Sequence, residues 1–160
     1  MTYNEIIIYI EELATAHVDI LHSESECHFL RDHEDADNKL RTKISLPAVI
    51  VGPHEEDVKA RNEDATFTYP VVSFMILDKV AVSDVSKKIE VKDKCRQIAL
   101  DFISKFRKDA FVFEKNFSNL DLNAIHIEEI GPVLDNFYGV LCDFKILSPV
   151  DLEYNEDKWN

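Results

Sequence analysis

The stretch VKDKCRQIALDFISKF, residues 91–106, decides how the rest of the chain is read, because it forms a helix with one apolar face. Val91, Cys95, Ile98, Phe102 and Phe106 recur at spacings of four, three, four and four, and Ala99 with Ile103 widens the stripe to the breadth of a core-facing helix. Such a helix must cover something, and the segments on either side of it read as strands.

Immediately upstream, TFTYPVVSFMIL (residues 66–77) is the central strand. Its second half is apolar on both faces, with Val71, Met75 and Leu77 on one and Val72, Phe74 and Ile76 on the other. A half-exposed antiparallel strand alternates with polar residues, so the second face needs a helix, a loop or another subunit over it. Pro70 lacks an N–H for the ladder and predicts an edge or a bulge at that point. LPAVIV (46–51), closed by Gly52-Pro53, is a buried strand with its proline at the first position. The polar HEEDVKARNEDA (54–65) between these strands reads as an arm or a long hairpin loop, a length commonly functional or interfacial.

Farther upstream, Asn4 caps a helix over residues 5–22, with Ile6, Ile10, Leu13, His17 and Leu21 on its inner stripe. His17 is read there as a hydrogen-bonded histidine at the core edge. ECHFLR (26–31) is a short strand, and DHEDADNKLRTK (32–43) is a charged loop without apolar periodicity. Downstream of the helix, residues 110–117 form a strand or a packed connection. LNAIHIEEI (122–130) alternates, residues 131–136 make a turn, and 138–147 returns with Tyr138, Val140, Cys142, Phe144 and Ile146 on one face. These two strands form an antiparallel hairpin. The predicted fold is therefore α+β, a mostly antiparallel sheet with two amphipathic helices packed on one face in an α/β sandwich. One domain spans residues 1–150, followed by an acidic tail or arm at 151–160.

Composition narrows the chemistry. With 160 residues, 46% of them hydrophobic and ten of them Phe, the chain has enough apolar mass for one real core. No apolar run approaches the roughly 18 residues of a membrane-spanning helix. The acid-bearing start MTYNEIIIYIEELA lacks the basic region of a secretory leader, which predicts synthesis in the cytoplasm. Three cysteines, Cys27, Cys95 and Cys142, show no CxxC spacing and read as buried free thiols. Cys27, His28, Asp32, His33, Glu34, Asp35 and Asp37 imitate a metal site but lack any HxxxH, HExxH or DxDxDG register, so they read as a solvated charge run. The tract from His54 to Asp57 reads the same way.

Three glycines, with no GxGxxG or GxxxxGK[ST], are too few for a phosphate cradle, and no nucleophile, base and orienting group can be named. The expectation is a protein without cofactor or catalytic site. The net charge of −13 argues against sequence-independent nucleic-acid binding. Residues 78–108 nevertheless hold nine Lys or Arg against five Asp or Glu, making one basic element in an acidic body.

The order of segments resembles that of small tail-completion or tail-terminator proteins of tailed bacteriophages. The segments that carry the likeness are an N-terminal helix, LPAVIVGP, a polar interruption, TYPVVSFMILDK, the helix DKCRQIALDFISKF and a closing hairpin ending FYGVLCDFKIL. It spans roughly residues 1–150 and is one of layout, since these families carry no invariant catalytic signature. The resemblance implies a structural virion protein. Its subunits form a homo-oligomeric ring, commonly a hexamer, in the neck or at the head-proximal end of the tail, in contact with other tail or neck proteins. DNA passes through such a ring without specific binding.

A head-to-tail ring joins two different patches of one subunit. The candidate patches are the cationic flank of Lys92, Arg96, Lys105 and Arg107 and the acidic loops, in particular Asp32, Glu34, Asp35 and Asp37. The alternative reading is a soluble acidic adaptor that recognises a basic protein partner through the same loops.

Overall fold

The computed structural model describes residues 2–33, 36–62, 65–81, 83–112, 119–134, 136–150 and 156–159. Side chains are described at these positions except 37, 60–62, 65, 111, 112, 119–123, 148 and 149. The chain runs α1 (Tyr3–Ala16), β1 (Phe29–Leu30), α2 (Ala36–Thr42), β2 (Ala48–Val51), β3 (Glu55–Asn62), β4 (Ala65–Lys79), α3 (Val85–Val112), β5 (Asn119–Val133) and β6 (Phe137–Pro149), with a short 3-10 turn at Glu156–Lys158. The six strands form one sheet in the order β1-β2-β4-β6-β5, and β3 adds to β4 beyond the end of β2. Only the β1–β2 pair is parallel. The fold is α+β with a mostly antiparallel sheet.

Both long helices lie on one face of the sheet. Alternation along β6 sends Val140, Cys142, Phe144 and Ile146 to that face, where they meet Val72, Phe74 and Ile76 of β4 and Val49 and Val51 of β2. Ile6, Ile10 and Leu13 of α1 and Cys95, Ile98, Phe102 and Phe106 of α3 close over them. Phe106 stands edge-on to both Tyr9 and Phe144, and Phe102 packs at 5.6 Å from Phe74. Such aromatic pairs add specific geometry to area burial. Gly139 is required by close approach, since a Cβ there would strike the Ile76 carbonyl oxygen on the adjacent strand.

Several expectations need correcting. The first helix is capped by Thr2 rather than Asn4: Glu5 N–H donates to Thr2 Oγ1 at 3.3 Å and Thr2 N–H donates to Glu5 Oε2 at 2.6 Å, a reciprocal capping box. It ends at Ala16 instead of continuing to residue 22, because the chain turns back over His17 and buries Ile20 in place of Leu21, which is 59% exposed at a φ of 53°. Residues 36–42 are helical, not a loop; Ala36 and Leu40, four apart, seat α2 on the far face of β2 against Ile50 and Leu77.

The polar tract after Gly52-Pro53 is strand β3, paired along β4 from Glu55↔Val71 to Asn62↔Ala65, so the expected arm is a β-hairpin. Pro70 lies within the sheet rather than at an edge. The β4–β6 pairing skips Tyr69 and Pro70 and resumes in the same register, Thr68↔Ser148 on one side and Val71↔Lys145 on the other. α3 is longer than residues 91–106 and continues to Val112; the rest of the expected connection, 113–117, lies outside the described residues. Most of the acidic tail, 151–155, lies outside them as well.

Phe102 is 1% exposed at the centre of the interface between helix and sheet. Phe102→Ala is expected to cost about 3–5 kcal/mol in chemical denaturation, the usual penalty for emptying a large core site. A loss under about 1 kcal/mol would contradict this placement.

Candidate interaction surface

The second face of the sheet is only partly covered. α2 shields the β1–β2 corner, where Leu30, Ala48, Ile50, Leu77 and Phe137 form a small second core. Moving along β4 away from that corner, Met75, Ser73 and Val71 point to the same side and are left half-exposed. Opposite them on β6 stand Leu141, Asp143 and Lys145. The hairpin arm extends this face, since Glu55 pairs with Val71 and Asp57 with Tyr69. The result is a concavity of about 600 Å³ with an apolar floor of Val71, Met75 and Leu141, bounded by Gly52, Pro53 and His33. Clefts of this size lie within the range of ligand sites.

Its charge is mostly negative. Among the described residues, Glu55, Glu56, Asp57 and Asp143 line it against one cation, Lys145, whose Nζ donates to Asp57 Oδ2 at 2.7 Å. That hydrogen bond holds the Asp57 carboxyl below its ordinary range. Among the described residues, Glu55 and Asp143 enter no ion pair.

The structure separates the proposed interface residues. Lys92 donates to Glu129 of β5 at 2.9 Å, and Lys105 donates to Asp109 at 2.6 Å. Asp109 is itself buried and also accepts from the Tyr9 hydroxyl at 2.6 Å, a bond that ties α1 to α3. Burial, followed by this carboxylate, pushes the Tyr9 hydroxyl well above the ordinary phenol range. Lys92 and Lys105 therefore serve contacts within the chain. Arg96 and Arg107 are exposed on α3.

Asp32 is exposed beside His33, at 3.4 Å, and lines a second concavity with Glu11, His22, Cys27, Arg31 and Lys39. Glu34 and Asp35 lie outside the described residues, and Asp37 is placed only by its backbone in α2. His28 is 5% exposed, not solvated, with Nδ1 at 2.9 Å from the Pro47 carbonyl oxygen, while Cys27 Sγ contacts the Phe29 carbonyl oxygen. Among the described residues, no group of three or more His, Cys, Asp or Glu is arranged to hold a metal ion. Cys95 and Cys142 are buried, and burial pushes both thiols up to about 12, so neither supplies a thiolate near neutral pH. Among the described residues, no helix is long and apolar enough to cross a membrane.

Lys105→Ala should destabilise the fold by about 1–3 kcal/mol, because it removes a donor from a buried carboxylate. Arg96→Ala should stay within about 0.5 kcal/mol of the parent, as surface changes usually do. Equal costs in thermal or chemical denaturation would contradict this division of roles. Comparison with protein-family models finds no match to the chain, and comparison with curated proteins finds no relative.

Proposed function

We propose that the chain is a structural virion protein, a ring-forming subunit of a phage tail-terminator, tail-completion or head–tail neck assembly. The observation that carries this reading is the half-covered second face of the sheet. A strand with Val71 and Met75 on one side and Val72, Phe74 and Ile76 on the other leaves apolar surface that a neighbouring subunit covers. The element order supports it through the resemblance already described.

In this reading the protein is not an enzyme and needs no cofactor. Its acidity suits a passage for DNA, since a negative surface repels the phosphate backbone and limits sticking. Its place is the virion, at the tail or neck, next to other tail proteins.

One observation favours a second reading. The carboxylates of Glu55, Glu56, Asp57 and Asp143 around the open cleft also fit a soluble adaptor that holds a basic segment of another protein. Sedimentation of the purified chain separates the two. The ring reading predicts one large discrete species at a whole-number multiple of 18.5 kDa, found again in intact tail particles. A chain that remains monomeric at every concentration and is absent from particles would contradict it.

A further inference from the structure

The outer side of α3 carries a second patch that the fold leaves without a cover. Val85 and Ile89, in the first turns, are 67% and 59% exposed. Continuing at spacings of seven and eleven come the exposed Arg96 and Arg107, with Leu100 between them half-buried against the core. At about 3.6 residues per turn these five positions fall along one flank of the helix. This flank turns away from α1, whose His17 reaches Asp101 on the opposite side of α3. It lies toward β5, where Lys92 meets Glu129. The patch therefore combines aliphatic residues with guanidinium groups. The cleft on the other side of the sheet has the matching pair of properties, an apolar floor of Val71, Met75 and Leu141 and carboxylates at Glu55 and Asp143.

We infer that the Val85–Ile89–Arg96–Arg107 flank of α3 in one copy seats in the Met75–Leu141 cleft of a second copy, with Arg96 and Arg107 directed at Glu55 and Asp143. The inference rests on the reading of the chain as a self-assembling subunit and adds which two surfaces meet. The occupant is a second copy because aliphatic and cationic groups on this chain's own α3 complement the apolar and acidic groups of its cleft. The two patches lie on opposite layers of one subunit, so the contact is head-to-tail and each copy keeps a vacant patch at either end until the chain of contacts closes. Opposed charges fix the register of such a contact, and like charges across it prevent docking.

Complementary charge reversal tests the inference. One variant carries Arg96→Glu with Arg107→Glu; the other carries Glu55→Lys with Asp143→Lys. In each variant alone, like charges face each other across the contact, and the large species of the parent chain is lost. In an equimolar mixture the two variants alternate, so every contact of an even-membered ring such as a hexamer again joins opposite charges and assembly returns with the two variants in equal amounts. Circular dichroism and thermal melting of each separate variant show that it is folded.

Loss in each variant with recovery in the mixture supports the inference. Loss without recovery between two folded variants overturns it, as does assembly of either variant alone to the parental extent. Assembly that persists through both reversals refutes this contact while leaving the ring reading intact; a parent chain that stays monomeric and is absent from particles refutes both.

Discussion

The fold depends on a strand that is apolar on both faces. β4 runs through the middle of the sheet, with β2 and β3 along one edge and β6 along the other. Burying Val72, Phe74 and Ile76 on one face takes both long helices, and among the described residues no other long helix remains for the second face. α2 is one short helix and covers only Leu77 and its neighbours. Half-exposed Met75 and Val71 follow from that shortage rather than from disorder in the core, since the covered face reaches full burial along β2, β4 and β6. Apolar surface left open beside a complete core is where a partner gains most from docking.

Charge acts on a different scale from packing. Lys92 and Lys105 bind Glu129 and Asp109 and fasten α3 to β5 and, through Tyr9, to α1. Among the described residues around the cleft, the carboxylates outnumber their single cation, Lys145. Exposed pairs contribute little to folding stability, so this acidic rim is better understood through what it attracts. The arm matters here because β3 has no apolar face to bury and yet extends β4 outward, carrying Glu55 and Asp57 to the cleft wall.

Much of this was legible in the sequence because periodicity records burial. The stripe of α3, the run AVIV of β2 and the alternation of β6 each report a surface packed on both or one side, and each is found where expected. Val71, Met75 and Leu77 announced a second apolar face on β4, and α2 covers its Leu77 end. Elements that bury almost nothing left no such record. β3 is a strand only because β4 offers it a ladder, and α2 is announced by just Ala36, Leu40 and the following Ile44.

Pairing across distant segments was equally invisible. Cations on one helix look alike in sequence, and nothing in it showed that Lys92 meets Glu129 or that Lys105 meets Asp109; the exposed aliphatic pair Val85 and Ile89 lies before the stretch that defined the helix. The central claim is that the Met75–Leu141 face is covered when the chain assembles, and Met75 itself can report it. Thioether oxidation follows access of the oxidant to sulfur. Peroxide treatment of dilute and assembled protein, followed by mass spectrometry of the Met75 peptide, should show sulfoxide forming much more slowly in the assembled state. Equal rates in the two states would mean that this face stays open, and would contradict the account.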